Sequence, residues 1–230
     1  MHHRLQVVLP LALSLVVFSA QLSAAAVINF QTDAGAVPND SSLATSWTNG
    51  GILNSTLAAL KPGDTLLIPN VTFHLMGGCV SVNLSDAIIQ IDGTLVFSDN
   101  THQWPRSADG SSVLECLQFN APVNVTITSS GRGRIIGSGA AWWSLGPLGY
   151  LIHGENRPRL LHIVRGKGVV VEHIAMEQSP YWTFWAEESD GLIVRCVSTT
   201  FPQYVYVTLW SGTRASCALF ACQLPPQPSR

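Results

Sequence analysis

The 230-residue sequence is short of charge. It has 12 Lys and Arg against 14 Asp and Glu, so charged residues make up 11% of the chain and the formal net charge is -2. An average soluble domain has about 25%. With no basic excess to neutralise a phosphate backbone, a nucleic-acid partner is excluded. Cys-x-x-Cys does not occur, and His162 and His173 stand eleven residues apart, which is no helical metal spacing. Neither a metal site nor a cofactor is therefore expected. Five cysteines, Cys79, Cys116, Cys196, Cys217 and Cys222, are too few for a disulfide-dense miniprotein. Their odd number leaves at least one free or paired to another chain. Adjacent aspartates are also missing, and Asp190 is the last acidic residue, with 40 residues after it. A hydrophobic fraction of 47% excludes a disordered chain.

What is present begins with Arg4 and an apolar run from Leu5 to Phe18, broken mainly by Gln6, Pro10 and Ser14 and followed by Ser23-Ala24-Ala25-Ala26. This is the layout of a secretory signal peptide over residues 1–26, cleaved near Ala24 or Ala26. The alternative, an uncleaved membrane anchor, needs about 20 apolar residues, and this run is shorter. No membrane association is expected after cleavage. Asn-x-Ser/Thr acceptors at Asn39, Asn54, Asn70, Asn83 and Asn124 fit an extracellular glycoprotein with many exposed turns. Each of these asparagines is equally well read as a turn residue.

A polar, turn-rich stretch runs from Asn29 to Asn49. Leu53, Leu57 and Leu60 then recur at helical spacing until Pro62-Gly63 ends the pattern. From Thr65 the texture changes to short β-branched runs: Leu66–Ile68, Ala87–Ile91, Leu95–Phe97, Val123–Ile127 and Gly168–Met176. Residues 165–174 return as 188–197 at an offset of 23. Gly168 matches Gly191, and Val169, Val171 and Ile174 match Leu192, Val194 and Val197. Arg165, Lys167 and Glu172 meet the opposite charges Glu188, Asp190 and Arg195. Strands stacked about 4.8 Å apart place each residue over its counterpart one turn later. Like apolar residues then pile up inside and opposite charges pair outside. Val123 lies 46 residues before Val169, which is two such periods.

The pattern predicts an all-β chain, a parallel β-solenoid of about six turns over residues 65–200. Residues 27–64 supply an N-terminal segment with a short capping helix, and 201–230 form an irregular, atypical tail ending in Pro225-Pro226-Gln227-Pro228. The competing fold is a β-sandwich with coincidental spacing. Val205–Cys222 is apolar but carries Arg214, which makes it a poor membrane span.

Several motifs resemble those of a known family. The run Gly131-Arg132-Gly133-Arg134-Ile135-Ile136-Gly137-Ser138-Gly139-Ala140-Ala141-Trp142-Trp143 resembles the Gly-x-Gly-x-Ile-x-Gly-x-Gly-x-x-Trp-Trp segment of polygalacturonases. Arg157-Pro158-Arg159-Leu160-Leu161 is similar to their Arg-Pro-x-Leu/Ile strand entry, and Ser179-Pro180-Tyr181-Trp182 to their Ser-Pro-x-Trp corner. Lys61-Pro62-Gly63-Asp64 through Pro69 resembles the first turn of pectin-lyase-like coils. In order and spacing the set resembles glycoside hydrolase family 28, over roughly residues 30–200. The resemblance implies a right-handed parallel β-helix and cleavage of α-1,4-galacturonosyl bonds by acid–base inversion, with a pectin-type uronan as partner and no cofactor. Most of the matching residues read as structural. Glycines serve corners and close approaches, and Trp142, Trp143 and Trp182 pack the coil wall.

The family's catalytic blocks, Asn-Thr-Asp-Gly, Asp-Asp, Gly-His-Gly and Arg-x-Lys, have no match, so no catalytic residue is assigned. Asp190 belongs to a corner opposite Lys167, while Glu172 and Glu188 have cationic partners in the stack. No triad, nucleophile elbow or phosphate loop replaces them. The chain is expected to be truncated or frame-shifted before the catalytic aspartates. Three readings follow: a pectin-hydrolase relative without its active site, a non-catalytic monomeric glycoprotein binding cell-wall polysaccharide, or an unstable product with an exposed strand edge.

Overall fold

The structure is a computed structural model that describes residues 24–143, 156–195 and 197–200, with the strand backbones at 208–209 and 214–217. The signal-peptide reading falls, apart from residues 24–26, outside the described residues. Strand β1 (Val27–Asn29) is followed by helix α1 (Leu43–Ala59). The chain then coils, and every turn supplies one strand to each of three parallel sheets, A, B and C in that order. The first turn is β2 (Thr65–Ile68), β3 (Thr72–Leu75) and β4 (Cys79–Val82). The second is β5 (Ile88–Ile91), β6 (Thr94–Phe97) and β7 (Leu117–Asn120). The third is β8 (Thr126–Thr128), β9 (Arg134–Ile136) and, after the short helix α2 (Ala140–Trp143), β10 (Leu161–Val164). The fourth is β11 (Val170–Glu172), β12 (Ala175–Glu177) and β13 (Phe184–Glu187). β14 (Asp190–Arg195), β15 (Ser198–Thr200) and β16 (Thr208–Leu209) make the fifth, and β17 (Arg214–Cys217) adds to sheet A beyond β14. Within 201–230, β16 and β17 thus continue sheets C and A in parallel register, and the other residues of that stretch lie outside the described ones.

This is the parallel β-helix expected from the 23-residue repeat. Val170 sits over Ile193, Val171 over Val194 and Glu172 over Arg195. Alternation sends every second side chain inward. Leu66, Ile89, Ile127, Val171 and Val194 stack in sheet A, and Phe73, Leu95, Ile135 and Met176 in sheet B, all buried. Each such side chain contributes about 1.5–3 kcal/mol when fully buried. The turns are handed on through left-handed backbone at one corner. Asp86 (φ 51°), Asn124 (φ 52°), Gly168 (φ 62°) and Gly191 (φ 66°) each lie two residues before a stacked sheet A position. Glycine, asparagine and aspartate are the residues that tolerate this conformation.

Four expectations need correction. Val123–Ile127 does not lie two turns before Val169. Thr126 stacks directly on Val170, so these strands are neighbours 44 residues apart, with an insertion between them. The count between Thr65 and Thr200 therefore falls short of six, at four complete turns and two strands of a fifth. The helix is also longer than its leucines suggest. It starts at Leu43, with the Ser42 hydroxyl accepting from the Thr45 N–H at 3.2 Å. Its hydroxyl residues bond back to the preceding turn, for example Thr48 Oγ1 to Ala44 C=O at 3.0 Å and Thr56 Oγ1 to Ile52 C=O at 2.7 Å. That hides the helical signal behind polar residues that usually mark loops. Finally, of the three complementary charge pairs, Glu172–Arg195 forms, with Arg195 Nε 2.6 Å from Glu172 Oε2. Arg165 and Glu188 occupy left-handed corners (φ 53° and 49°), and Lys167 and Asp190 meet through their backbones. Among the described residues neither of those two pairs forms an ion pair, because corner side chains splay into solvent rather than stacking like strand side chains.

The N-terminal end of the coil is covered by α1, which packs on β3 and β4. Leu53 and Leu57 are buried beneath it. Asn54 clamps the edge strand β4, donating to the Gly78 C=O at 3.1 Å and accepting the Val80 N–H at 2.7 Å. An edge that would otherwise present unpaired backbone groups is thereby satisfied. Among the described residues no helix is long and apolar enough to cross a membrane.

Candidate functional site

Sheet C differs from its companions in what surrounds it. The two long insertions of the coil, between β6 and β7 and between β9 and β10, both leave at the corner joining sheet B to sheet C. Long connections on a rigid scaffold are where binding surfaces concentrate. The two insertions lock together. Trp104 of the first, buried, meets buried Trp142 of the second edge to face, with ring centroids 5.4 Å apart. Asn156 adds a polar brace, accepting the Val113 N–H at 2.8 Å and donating to the Ser111 C=O at 3.1 Å.

The motif residues build this corner. Gly131 has φ 100°, a true left-handed position. Gly133, Gly137 and Gly139 instead permit close approach: a Cβ on Gly137 would stand 2.6 Å from Pro180 Cδ, and one on Gly139 would stand 2.2 Å from Trp143 Cζ2. The Gly-rich run and the Ser-Pro corner are therefore two halves of one contact. Trp143 Nε1 closes it by donating to the Pro180 C=O at 3.0 Å. Ser179 is buried and its hydroxyl donates to the Trp182 C=O at 2.8 Å. Pro158 is buried, and the Arg157 guanidinium lies 4.6 Å from the Tyr181 ring centre.

On the outer face of sheet C, Gln118, His162 and Trp185 stand in one row across three turns. His162 points outward, yet its neighbours cover it to 7% exposure. Its Nδ1 lies 3.5 Å from Glu115 Oε1 and its Nε2 lies 3.3 Å from Glu187 Oε1. Arg159 closes the group. Its guanidinium and its backbone N–H both hold the Glu115 carboxylate, while its Cζ stands 4.7 Å from the Trp185 ring centre. Trp182 connects Trp185 to Tyr181 in a chain of edge-to-face contacts at 5.5 and 5.2 Å. The face is thus a strip of half-buried aromatic rings with a guanidinium lying over each end. Rings offer C–H faces a platform and guanidinium groups offer planar donors for carboxylates. Glu115 and Glu187 both lie within 3.5 Å of the His162 ring nitrogens, neither of which makes a hydrogen bond, while Glu115 is held by Arg159. His162 thus stands between the two carboxylates.

Glu115, His162, Trp185 and Glu187 received no functional role from the sequence. A signal was there: β7 to β10 and β10 to β13 repeat the 44- and 23-residue offsets of sheet A. Among the described residues no group of three His, Cys, Asp or Glu is arranged to hold a metal. Cys79 and Cys116 are buried thiols, and burial pushes the Cys79 thiol up to about 12. Of the glycosylation acceptors, Asn39, Asn70, Asn83 and Asn124 are exposed, whereas Asn54 is the half-buried clamp on β4. Asn124 Nδ2 donates to Asp86 Oδ1 at 3.0 Å.

No family model matches the chain. Among curated proteins it is 24% identical, over 131 residues, to galacturan 1,4-alpha-galacturonidase A of Aspergillus flavus, a match covering 56% of this chain and 30% of that protein. The chain thus spans about a third of that relative's length. Among solved structures it is similar to a family 28 exopolygalacturonase of Yersinia enterocolitica, with TM-score 0.58 and 14% identity over 82% of this chain and 39% of that one. It is also similar to a hyperthermoactive exopolygalacturonase of Thermotoga maritima, with TM-score 0.56 and 18% identity over 76% and 46%. The fold is the one these enzymes share, and the family resemblance legible in the motifs points to the same group of proteins.

Proposed function

We propose that this chain, whose coil resembles those of polygalacturonase-type glycoside hydrolases, is a monomeric extracellular coil that holds a pectin-type uronan along the outer face of sheet C. The observation that carries this reading is the pairing of Arg157 with Tyr181 and Arg159 with Trp185 along one strip. A polygalacturonate chain repeats a carboxylate and a C–H face at every ring; the aromatic rings of the strip offer a counterpart to the C–H faces and the Arg157 guanidinium one to a carboxylate, Arg159 being paired with Glu115. The signal-peptide layout and the exposed acceptors at Asn39, Asn70, Asn83 and Asn124 support a place outside the cell.

Hydrolysis of α-1,4-galacturonosyl bonds by acid–base inversion belongs, in this reading, to proteins that carry the Asn-Thr-Asp-Gly and Asp-Asp blocks missing from this sequence. A polygalacturonate pull-down run beside a reducing-end release assay on the purified chain tests both parts. Retention on the polysaccharide without release of reducing ends is expected. Release of reducing ends would overturn the non-catalytic part, and failure to bind would overturn the whole.

A further inference from the structure

A cavity lies on another face of the coil. On the outside of sheet B a space of about 250 Å³ opens between the N-terminal end of α1 and strands β3 and β6. His74 and Val96, Cα partners in adjacent turns, lie side by side in it, with Ser46, Ser98, Asp99 and Ser138 among the other lining residues. The hydroxyls are already oriented. Ser46 Oγ donates to the Ser42 C=O at 3.0 Å and Ser138 Oγ donates to the Phe97 C=O at 2.6 Å. With their protons committed, both can only accept from a ligand, and the Asp99 carboxylate can only accept as well. Ser98 Oγ accepts the Asn100 N–H at 3.2 Å, so its own proton remains to be donated.

The lining therefore asks its ligand for several donors and at least one acceptor. Val96 gives a small apolar surface on which C–H groups can rest. Asp99 is the carboxylate among the lining residues and sets the local charge against an anion, with the His74 imidazole as the other ionisable group facing the space. The volume lies just below the range of about 300–1,000 Å³ typical of drug-sized ligands, which suits a single ring. We infer that this cavity binds one neutral, polyhydroxylated sugar ring, a carbohydrate contact separate from the strip on sheet C.

Titration calorimetry or ligand-detected NMR on the whole 230-residue chain tests it, with methyl β-galactopyranoside as the neutral probe and free galacturonate as the anionic one. The neutral glycoside should bind saturably and galacturonate more weakly. Asp99→Ala removes an exposed side chain and should weaken the neutral probe about tenfold, the loss expected for a hydrogen bond to a charged group. Ser98→Trp, which fills the space, should abolish binding. Both variants should keep their hold on polygalacturonate, so a failure here is distinct from a failure of the sheet C reading. No saturable binding of the neutral glycoside, equal or tighter binding of galacturonate, or an Asp99→Ala variant with unchanged affinity would each overturn the inference.

Discussion

Trp104 and Trp142 belong to different turns of the coil, and their rings meet at 89° with centroids 5.4 Å apart. Trp104 reaches its position because Gly77 has no side chain: a Cβ there would stand 2.1 Å from Trp104 Cζ2. Its indole N–H donates to the Leu114 C=O at 2.7 Å, fastening the insertion to itself. The contact makes one rim out of two loops.

Trp104→Ala should therefore cost about 3–5 kcal/mol, the usual range for a buried tryptophan. It should also loosen the rim beside sheet C. Chemical denaturation measures the first effect. Hydrogen exchange at Val113 and Leu114 measures the second, and faster exchange is expected at both.

Trp185→Ala should be mild for the fold, because the ring is half-buried on the outer face. It removes the platform under Arg159 and should weaken polygalacturonate binding about 3- to 30-fold, the span expected for a cation–π interaction at a partly exposed site. Affinity electrophoresis in gels containing the polysaccharide would show the difference, and an unchanged mobility shift would count against the strip.

Gly139→Ala tests the structural reading of the Gly-rich motif. The new Cβ would stand 2.2 Å from Trp143 Cζ2 and 2.5 Å from the Ser179 C=O oxygen. One neighbour is a ring and the other is backbone, so the clash cannot relax by rotating a flexible side chain. A loss of about 1–3 kcal/mol is expected from overpacking, readable as a lower thermal midpoint. Gly131→Ala should act through a different cause, its φ of 100°, without a clash.

Asp64 ties the first strand to the coil. Its Oδ1 accepts the Ala26 N–H and its Oδ2 accepts the Lys61 N–H, both at 2.9 Å. These bonds, that from Ala26 first, hold its carboxyl below the ordinary value of 3.8 in the folded chain. A carboxyl lowered by folding stabilises fully above its unfolded value and loses that contribution as pH falls through the folded value. The stability gap between the parent chain and Asp64→Asn should therefore be widest near neutral pH and should shrink below about pH 4. Thermal midpoints across pH 2.5–7 (about five points) would show it, and a gap independent of pH would refute the assignment.

The parts of the fold legible in the sequence are those where the turn length is constant. β11 and β14 follow one another at 23 residues with no insertion, so Val171 and Val194 line up by eye and by register. β8 to β11 spans 44 residues, a near-doubling of the period that imitates two turns. Sheet C carries the same offsets yet is harder to read for a related reason. Its strands follow the inserted corner, and its outward residues Gln118, His162 and Trp185 share no chemical type that would mark them as equivalent. His162 looks in sequence like a lone histidine inside an apolar strand. Its partners Glu115 and Glu187 lie 47 and 25 residues away, and stacking alone brings them to it.

Both insertions emerge at the corner between sheets B and C, while the sheet A corner keeps its left-handed residue two places before each stacked strand position. The coil thus has one corner that counts residues and another that does not. Lengthening the chain at the second alters only the rim of the outer face. Adding or removing one residue at the first would turn a strand's buried set outward. Variation in what this molecule grips can therefore accumulate on one edge of the prism while its pitch stays unchanged.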